Sequence, residues 1–251
     1  AKLKQINAEL AELGTKFSQN VLAEVNDSAV VVDTKAELAG MSEDQIATAA
    51  KAAENAIAAA AKALAAAQEA DKAGSTDATR KALANAQAAQ ARAAGMQGKY
   101  LLKLNNFSNP AILPHLENRA LRQRVMAASL ARGSRGNAYD NTALVSRVLT
   151  LRAQVAQMLG YPNYAAYSLG NQTAKTPEAV NAMLGKLAPA AVANARREAA
   201  DIQALIDREQ KAKGQPSFAL QSWDWAYYTE KVRQERYNFD ESQLKPYLEL
   251  D

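Results

Sequence analysis

The 251-residue chain reads as mainly α: a multi-helix, bundle-like array with a small two-stranded β element and an alanine-rich helical hairpin. Three observations give that class. Apolar residues recur at three- and four-residue spacings along most of the length. Alanine supplies much of the 48% apolar share while aromatics make up only 6%, a balance that favours helices packed closely through small side chains. Only two short runs carry strand character.

Taken in order, Leu3, Ile6, Leu10, Leu13 and Phe17 mark a helix with one apolar stripe, ended by Asn26-Asp27-Ser28. The β-branched run Ala29-Val30-Val31-Val32 follows, and its expected mate is Tyr100-Leu101-Leu102-Lys103-Leu104, bounded by Gly98 and Asn105-Asn106. Between the two lies an α-hairpin over residues 43–95. Ser42 and Gln45 make a capping box, Glu43 and Asp44 suit the positive end of the helix dipole, and Ile46, Ala50, Ala53, Ile57, Ala60, Leu64 and Ala67 form a thin stripe. Gly74-Ser75-Thr76-Asp77 is the turn, and the second helix runs to Ala94, stopped by Gly95.

After Asn109-Pro110 the helical pattern resumes through Leu121, Val125 and Leu130 until Gly133 and Gly136 interrupt it. Asp140 or Asn141 caps the next helix, whose Leu144, Val148, Leu151, Val155 and Met158 face one side, and Gly160-Tyr161-Pro162 ends it. Thr176-Pro177-Glu178 is a helix start, with a capping hydroxyl, proline at the first position and then an acid. Pro189 is expected to kink or divide that helix, which carries Ile202, Leu205 and Ile206 and ends near Gly214-Gln215-Pro216. A last long helix places Trp225, Tyr228 and Val232 on one face, and Asp240 with Gln243 forms a pair resembling a capping box. No Gly/Ser-rich or Pro-rich linker divides the chain, so residues 1–251 are expected to be one helical region with residues 43–95 inserted in it.

Composition narrows function mainly by exclusion. The net charge of +4 is modest for this length and points to neither nucleic acid nor a membrane surface. With 0 cysteines, disulfides, thiolate catalysis and cysteine-ligated metal sites are excluded. No apolar run approaches a membrane span, and no signal-peptide pattern opens the chain. Ala1 stands where methionine would, with Leu3 already in a helical repeat, so a processed or cut N-terminus is expected.

Few residues carry chemistry. His115 is the single histidine, so a zincin site of two histidines one turn apart cannot be built, and its neighbours Pro114 and Leu116 place it at a helix start as a structural or exposed residue. Gly95-Met96-Gln97-Gly98-Lys99 is too short for a phosphate loop, has Tyr100 where serine or threonine is required, and runs from helix to strand. Arg119, Arg122, Arg124, Arg132 and Arg135 spread around a helical axis among Leu121, Val125 and Met126, which reads as a solvated face with ion pairs. Glu198 with Asp201 is an ordinary surface pair at i,i+3. The densest feature is Trp223-Asp224-Trp225-Ala226-Tyr227-Tyr228, which holds both tryptophans. With Tyr237 it offers stacking faces for a peptide groove, but the helical spacing favours a core anchor.

At these residues a resemblance enters. Trp223-Asp224-Trp225-Ala226-Tyr227-Tyr228, Val232-Arg233-Gln234-Glu235-Arg236-Tyr237, Asp240-Glu241 and Leu244-Lys245-Pro246-Tyr247 closely resemble the thimet-oligopeptidase-like zinc metallopeptidases, nearest to the bacterial peptidyl-dipeptidase (dipeptidyl carboxypeptidase) branch. The likeness continues through Ala174-Lys175-Thr176-Pro177-Glu178, Leu159-Gly160-Tyr161-Pro162 with Tyr164-Ala165-Ala166-Tyr167, Asp140-Asn141, and Asn118-Arg119-Ala120 with Arg122. It reaches back to Leu38-Ala39-Gly40-Met41-Ser42 and Ile6-Asn7-Ala8-Glu9-Leu10, so that it covers almost the whole chain. The hairpin over residues 52–94 departs from it, being longer than the helix the family has there.

The resemblance implies a parent enzyme that removes dipeptides from the C-termini of short peptides, with zinc polarising the scissile carbonyl and a glutamate-activated water attacking it. It also implies that the His-Glu-x-x-His helix, the third ligand and the substrate-binding tyrosines follow the position matching Tyr247, and that more helix precedes Leu3. No catalytic, cofactor-binding or metal position of the family maps onto this chain. The expectation is therefore an internal, non-catalytic helical fragment forming one wall of the channel that admits short peptides. Its partners would be those peptides and the remaining catalytic portion, with zinc in the parent and none here. No nucleic acid and no membrane are expected, and the compartment would be bacterial cytoplasm or periplasm. The competing class is a non-enzymatic helical scaffold or binding protein with the alanine hairpin as a docking arm.

Overall fold

The computed structural model describes residues 1–104 and 112–237. The chain is mainly α, with eight helices and one two-stranded sheet among the described residues. It forms two compact units, Ala1–Glu24 with Ala131–Asp251, and Val25–Leu130.

In the first unit, α1 (Lys2–Asp27) buries Ile6 against Leu151 and Val155 of α5 (Thr142–Met158), with Leu3, Leu10 and Leu13 half-buried around them. Arg147 of α5 grips Glu9 through both Nε and Nη2, at 2.6 and 2.9 Å. The predicted stripe changes chemistry after Leu13. Phe17 is exposed, and the buried positions further along α1 are polar, Asn20 and Glu24. They meet the segment that precedes α5: Asn20 Nδ2 donates to Asn141 Oδ1 at 2.9 Å, while Glu24 accepts from Gly133 N, Arg135 and Asn137. A long apolar residue has no place against such a polar loop.

Of the two capping candidates, Asp140 acts, its Oδ1 accepting from the Thr142 amide and hydroxyl at 2.9 and 2.6 Å. Asn141 occupies the cap position without a side-chain cap bond because its amide is engaged by Asn20. Met158, expected on the inner face of α5, is exposed. The short α6 (Tyr164–Leu169) starts on Asn163, which accepts from Ala166 N. Thr176 caps α7 (Pro177–Ala212) by accepting from Ala179 N at 3.2 Å.

The expected division of α7 at Pro189 does not occur: the helix runs unbroken through it. Proline removes one i→i−4 bond, to Gly185 O, but every residue from 181 to 198 is exposed, so water can solvate that carbonyl. Lys213 and Gly214, the latter at φ 64°, end the helix as the sequence indicates. The unit closes with α8 (Ser222–Tyr237). The Asp240/Gln243 pair lies outside the described residues.

In the second unit, β1 (Val30–Val32) pairs antiparallel with β2 (Tyr100–Leu102), Val30 opposite Leu102 and Val32 opposite Tyr100. Val30 and Val32 are buried and Val31 is not, the alternation of a strand with one covered face. The Val31 carbonyl accepts from Arg124 Nη2 of α4 (Arg119–Leu130) at 2.6 Å. Leu130, at the end of α4, is exposed.

The hairpin is α2 (Glu43–Ala73) followed by α3 (Asp77–Ala94), with the Ser42/Gln45 capping box formed as predicted. Only Ile46, Ala49 and Ala53 of α2 and Ala93 of α3 are buried, all near its base. At the tip, Asp71 Oδ1 accepts from the hydroxyls of Ser75 and Thr79, and Thr76 and Thr79 cap each other.

Candidate functional site

The aromatic segment forms the core between α7 and α8. Tyr227 and Tyr228 are buried with Ile202, Leu205 and Ile206, and Phe218, Leu220, Trp225 and Val232 close around them. The helical spacing of Trp225, Tyr228 and Val232 dictates this, because three- and four-residue steps put them on one stripe. Tyr227 and Tyr228 meet edge to face at 5.1 Å, and Phe218 stands 6.3 Å from Tyr228. The connection into α8 is pinned by Gln203, which donates to Phe218 O at 2.9 Å and accepts from Leu220 N at 2.8 Å. Asp224 is fully buried, and its carboxylate accepts from Gln221 N at the helix start.

Lys231 closes one side of this core. Its Nζ lies 5.0 Å over the Tyr227 ring and donates to Glu209 at 2.6 Å. Burial alone would lower the ammonium pKa, but the hydrogen bonds to Glu209 and Tyr227 outweigh it and the net shift is upward. Lys231 therefore stays charged and serves as a tie between helices, with no capacity as a base near neutral pH.

Beside the core lies a cleft of about 300 Å³ whose lining includes Glu198, Asp201, Trp225, Arg233, Arg236 and Tyr237. Its charges are paired within the protein: Arg236 with Asp201 at 2.5 Å, and Arg233 bidentate with Glu230 at 2.8 Å. The Asp201 carboxylate beside Arg236 raises the guanidinium pKa further. Glu198 accepts from Asn194 at 2.6 Å. Glu198 and Asp201 thus belong to the helix surface, as their spacing indicates. The cleft offers an aromatic wall and fixed charges but no nucleophile with a base beside it.

His115 is exposed in the turn before α4, and among the described residues no three His, Asp or Glu side chains converge as a metal site would require. Gly95–Lys99 is a helix-to-strand turn, and Lys99 pairs with Asp33 at 2.8 Å.

Within the arginine series Arg122 departs from the expected solvated face. Arg122, 1% exposed, points inward and donates to the Leu116 and Glu117 carbonyls at 2.8 and 3.0 Å. Arg135 binds the buried Glu24, and Arg124 binds Glu37 and Val31 O. Arg124 and Arg135 are exposed and ion-paired, as expected, whereas Arg122 leaves the solvated face because backbone carbonyls supply acceptors that helical spacing cannot reveal.

A second aromatic group was not assembled from the sequence. Tyr167 meets Tyr161 edge to face and Tyr164 at a tilt, with ring centroids 5.4 and 5.7 Å apart, and Arg152 lies 5.2 Å over Tyr164. Tyr161 and Tyr167 share a shallow hollow of about 460 Å³ with Ser168, Asn171 and Gln172. The spacing of Tyr164 and Tyr167, three apart on a helix, is the signal that could have found it.

Compared with known proteins, residues 112–251 match the family model described as Peptidase family M3. The chain is 37% identical over all 251 residues to the dipeptidyl carboxypeptidase of Escherichia coli K12, of which it spans 30%. It is 33% identical over 251 residues to the dipeptidyl carboxypeptidase of Salmonella typhimurium LT2, spanning 31% of it. Oligopeptidase A of Escherichia coli K12 matches at 32% over 248 residues, 97% of this chain and 30% of that protein.

Proposed function

This chain belongs to peptidase family M3, and from that membership we propose that it is a non-catalytic helical portion of a zinc-dependent peptidyl-dipeptidase. The parent removes C-terminal dipeptides from short peptides and acts in the bacterial cytoplasm or periplasm. One observation carries the reading: the chain is 37% identical along its whole length to a dipeptidyl carboxypeptidase of which it spans only 30%. The composition supports it, since a single histidine cannot supply both histidines of a His-Glu-x-x-His zinc helix. Zinc is then held by residues of the parent outside these 251.

What this chain supplies is scaffold. The α7–α8 core and the α1–α5 pairing hold long helices in fixed register, and we place them in a wall of the peptide channel. Both units belong, on this reading, to one helical region of the parent, with residues 43–95 an insert in it.

The test uses two purified proteins, this chain and the longer polypeptide. The longer one binds stoichiometric zinc and releases dipeptides from the C-terminus of a short peptide, whereas this chain does neither. Zinc at one equivalent together with peptide hydrolysis by the 251-residue chain alone overturns the proposal.

A further inference from the structure

We infer that the first half of α7 is the docking surface for the catalytic remainder of the parent polypeptide. This rests on the reading above that the parent is a longer peptidase.

Two observations lead to it. The α7 face that packs on α8 carries Ile202 and Ile206, 3% and 0% exposed. Followed towards the helix start at three- and four-residue steps, the same face carries Ala195, Ala191, Ala188, Leu184 and Val180, with Leu187 at its edge. It is bare there: residues 181–198 are all exposed, Leu184 to 51% and Leu187 to 60%. One exposed leucine needs no explanation. A stripe that continues an occupied packing face is different, because its apolar character runs on beyond the cover, through alanines to Leu184 and Leu187.

The second observation is energetic. This uncovered half contains Pro189 inside the helix, a substitution worth about 3 kcal/mol against helix. A helix stretch in water with an internal proline gains nothing from propensity, so its order has to come from packing. The centre of the stripe is alanine, which lets another helix approach closely, and the leucines lie towards the helix start.

The occupant follows from length. This chain spans 30% of the dipeptidyl carboxypeptidase it matches, so most of such a polypeptide lies outside these residues and is covalently joined to them. Joined chain is at high effective concentration, which favours it over a free partner or a second copy.

Two measurements test the proposal. Hydroxyl-radical footprinting compares Met183, Leu184 and Leu187 in the longer polypeptide and in this chain. Modification is expected to be slower by about fivefold or more in the longer form, the contrast between a buried and a half-exposed side chain. In parallel, Leu184→Glu with Leu187→Glu is expected to lower the Tm of the longer polypeptide by about 5 °C or more and to leave this chain within about 1 °C. Equal modification rates and equal small Tm shifts in a longer polypeptide that is an active zinc peptidase overturn the docking surface and leave the functional reading intact. Protection that grows with concentration in this chain alone, with a dimer in sedimentation, gives the face to a second copy and overturns the stated occupant. A natural product of only 251 residues overturns both.

Discussion

Glu24, 1% exposed on α1, accepts hydrogen bonds from Nε and Nη2 of Arg135 at 3.1 and 2.8 Å, from Asn137 Nδ2 at 2.7 Å and from Gly133 N at 3.1 Å. One carboxylate thereby holds the segment between α4 and α5 against α1. Removing one partner of a buried, hydrogen-bonded ion pair is expensive because it strands the other. Glu24→Ala is expected to cost about 3 kcal/mol, and Glu24→Gln somewhat less because an acceptor remains. Urea unfolding followed by tryptophan fluorescence measures it, since both indoles lie in the same unit as Glu24.

The same site sets an acid limb. Burial pushes the Glu24 pKa up, but the bonds from Arg135, Asn137 and Gly133 and the charge of Arg135 outweigh it, and the net pKa falls below the ordinary value of 4.5. A carboxyl whose folded pKa is depressed binds protons more readily when unfolded. Its stabilisation is therefore present above the unfolded pKa and is lost as pH falls through the lower, folded value. Unfolding free energies taken from pH 7 down towards pH 3 should decline more steeply for the wild type than for Glu24→Gln. Parallel curves would show that Glu24 does not supply this limb.

Gly40 stands at φ 89°, and a Cβ placed there would lie 2.0 Å from the His115 carbonyl oxygen. Both the backbone conformation and the close approach demand glycine. The contact continues into the bond from Glu117 N to Ala39 O at 2.9 Å. Gly40→Ala is expected to destabilise the second unit by about 2 kcal/mol or more and to speed hydrogen exchange at the Glu117 amide. Unchanged exchange at Glu117 would mean that the turn does not depend on this approach.

Pro189 offers the opposite sign. It lies within a continuous helix and among exposed residues, so alanine restores a backbone donor without disturbing a core. Pro189→Ala is expected to raise stability by about 1–3 kcal/mol, read as an upward shift in Tm with increased helical circular dichroism. A lower Tm would show that the ring is needed for contacts made at this position.

Local rules made much of the architecture legible. The Ser42/Gln45 box, the Thr176-Pro177 start and the pairing of Val30–Val32 with Tyr100–Leu102 depend on neighbours in sequence or on short alternation, and all three formed. The α7–α8 core was legible because Trp225, Tyr228 and Val232 repeat at helical spacing. What escaped depends on distant partners. Arg135 finds Glu24 across 111 residues, and Arg122 finds the carbonyls of a turn that its own helix follows. Helical periodicity locates such side chains on an axis but says nothing of a polar partner waiting inside. Phe17 failed for the complementary reason: it continues a stripe whose covering surface turns polar at Asn20.

The alanine hairpin has a last consequence. The buried residues of its 31- and 18-residue helices, Ile46, Ala49, Ala53 and Ala93, all lie near the base, and the tip is closed by its own hydroxyls and Asp71. Between base and tip the half-buried residues are mostly alanines, with Ile57 and Leu64 of α2 and Leu83 of α3 among them. Such a thin seam ties the extent of the arm weakly: two turns removed from α2 would bring Leu64 to the place of Ile57 and leave the root untouched. Length is thus a free variable at this point of the chain, and the tip is a natural place to graft a tag or a probe.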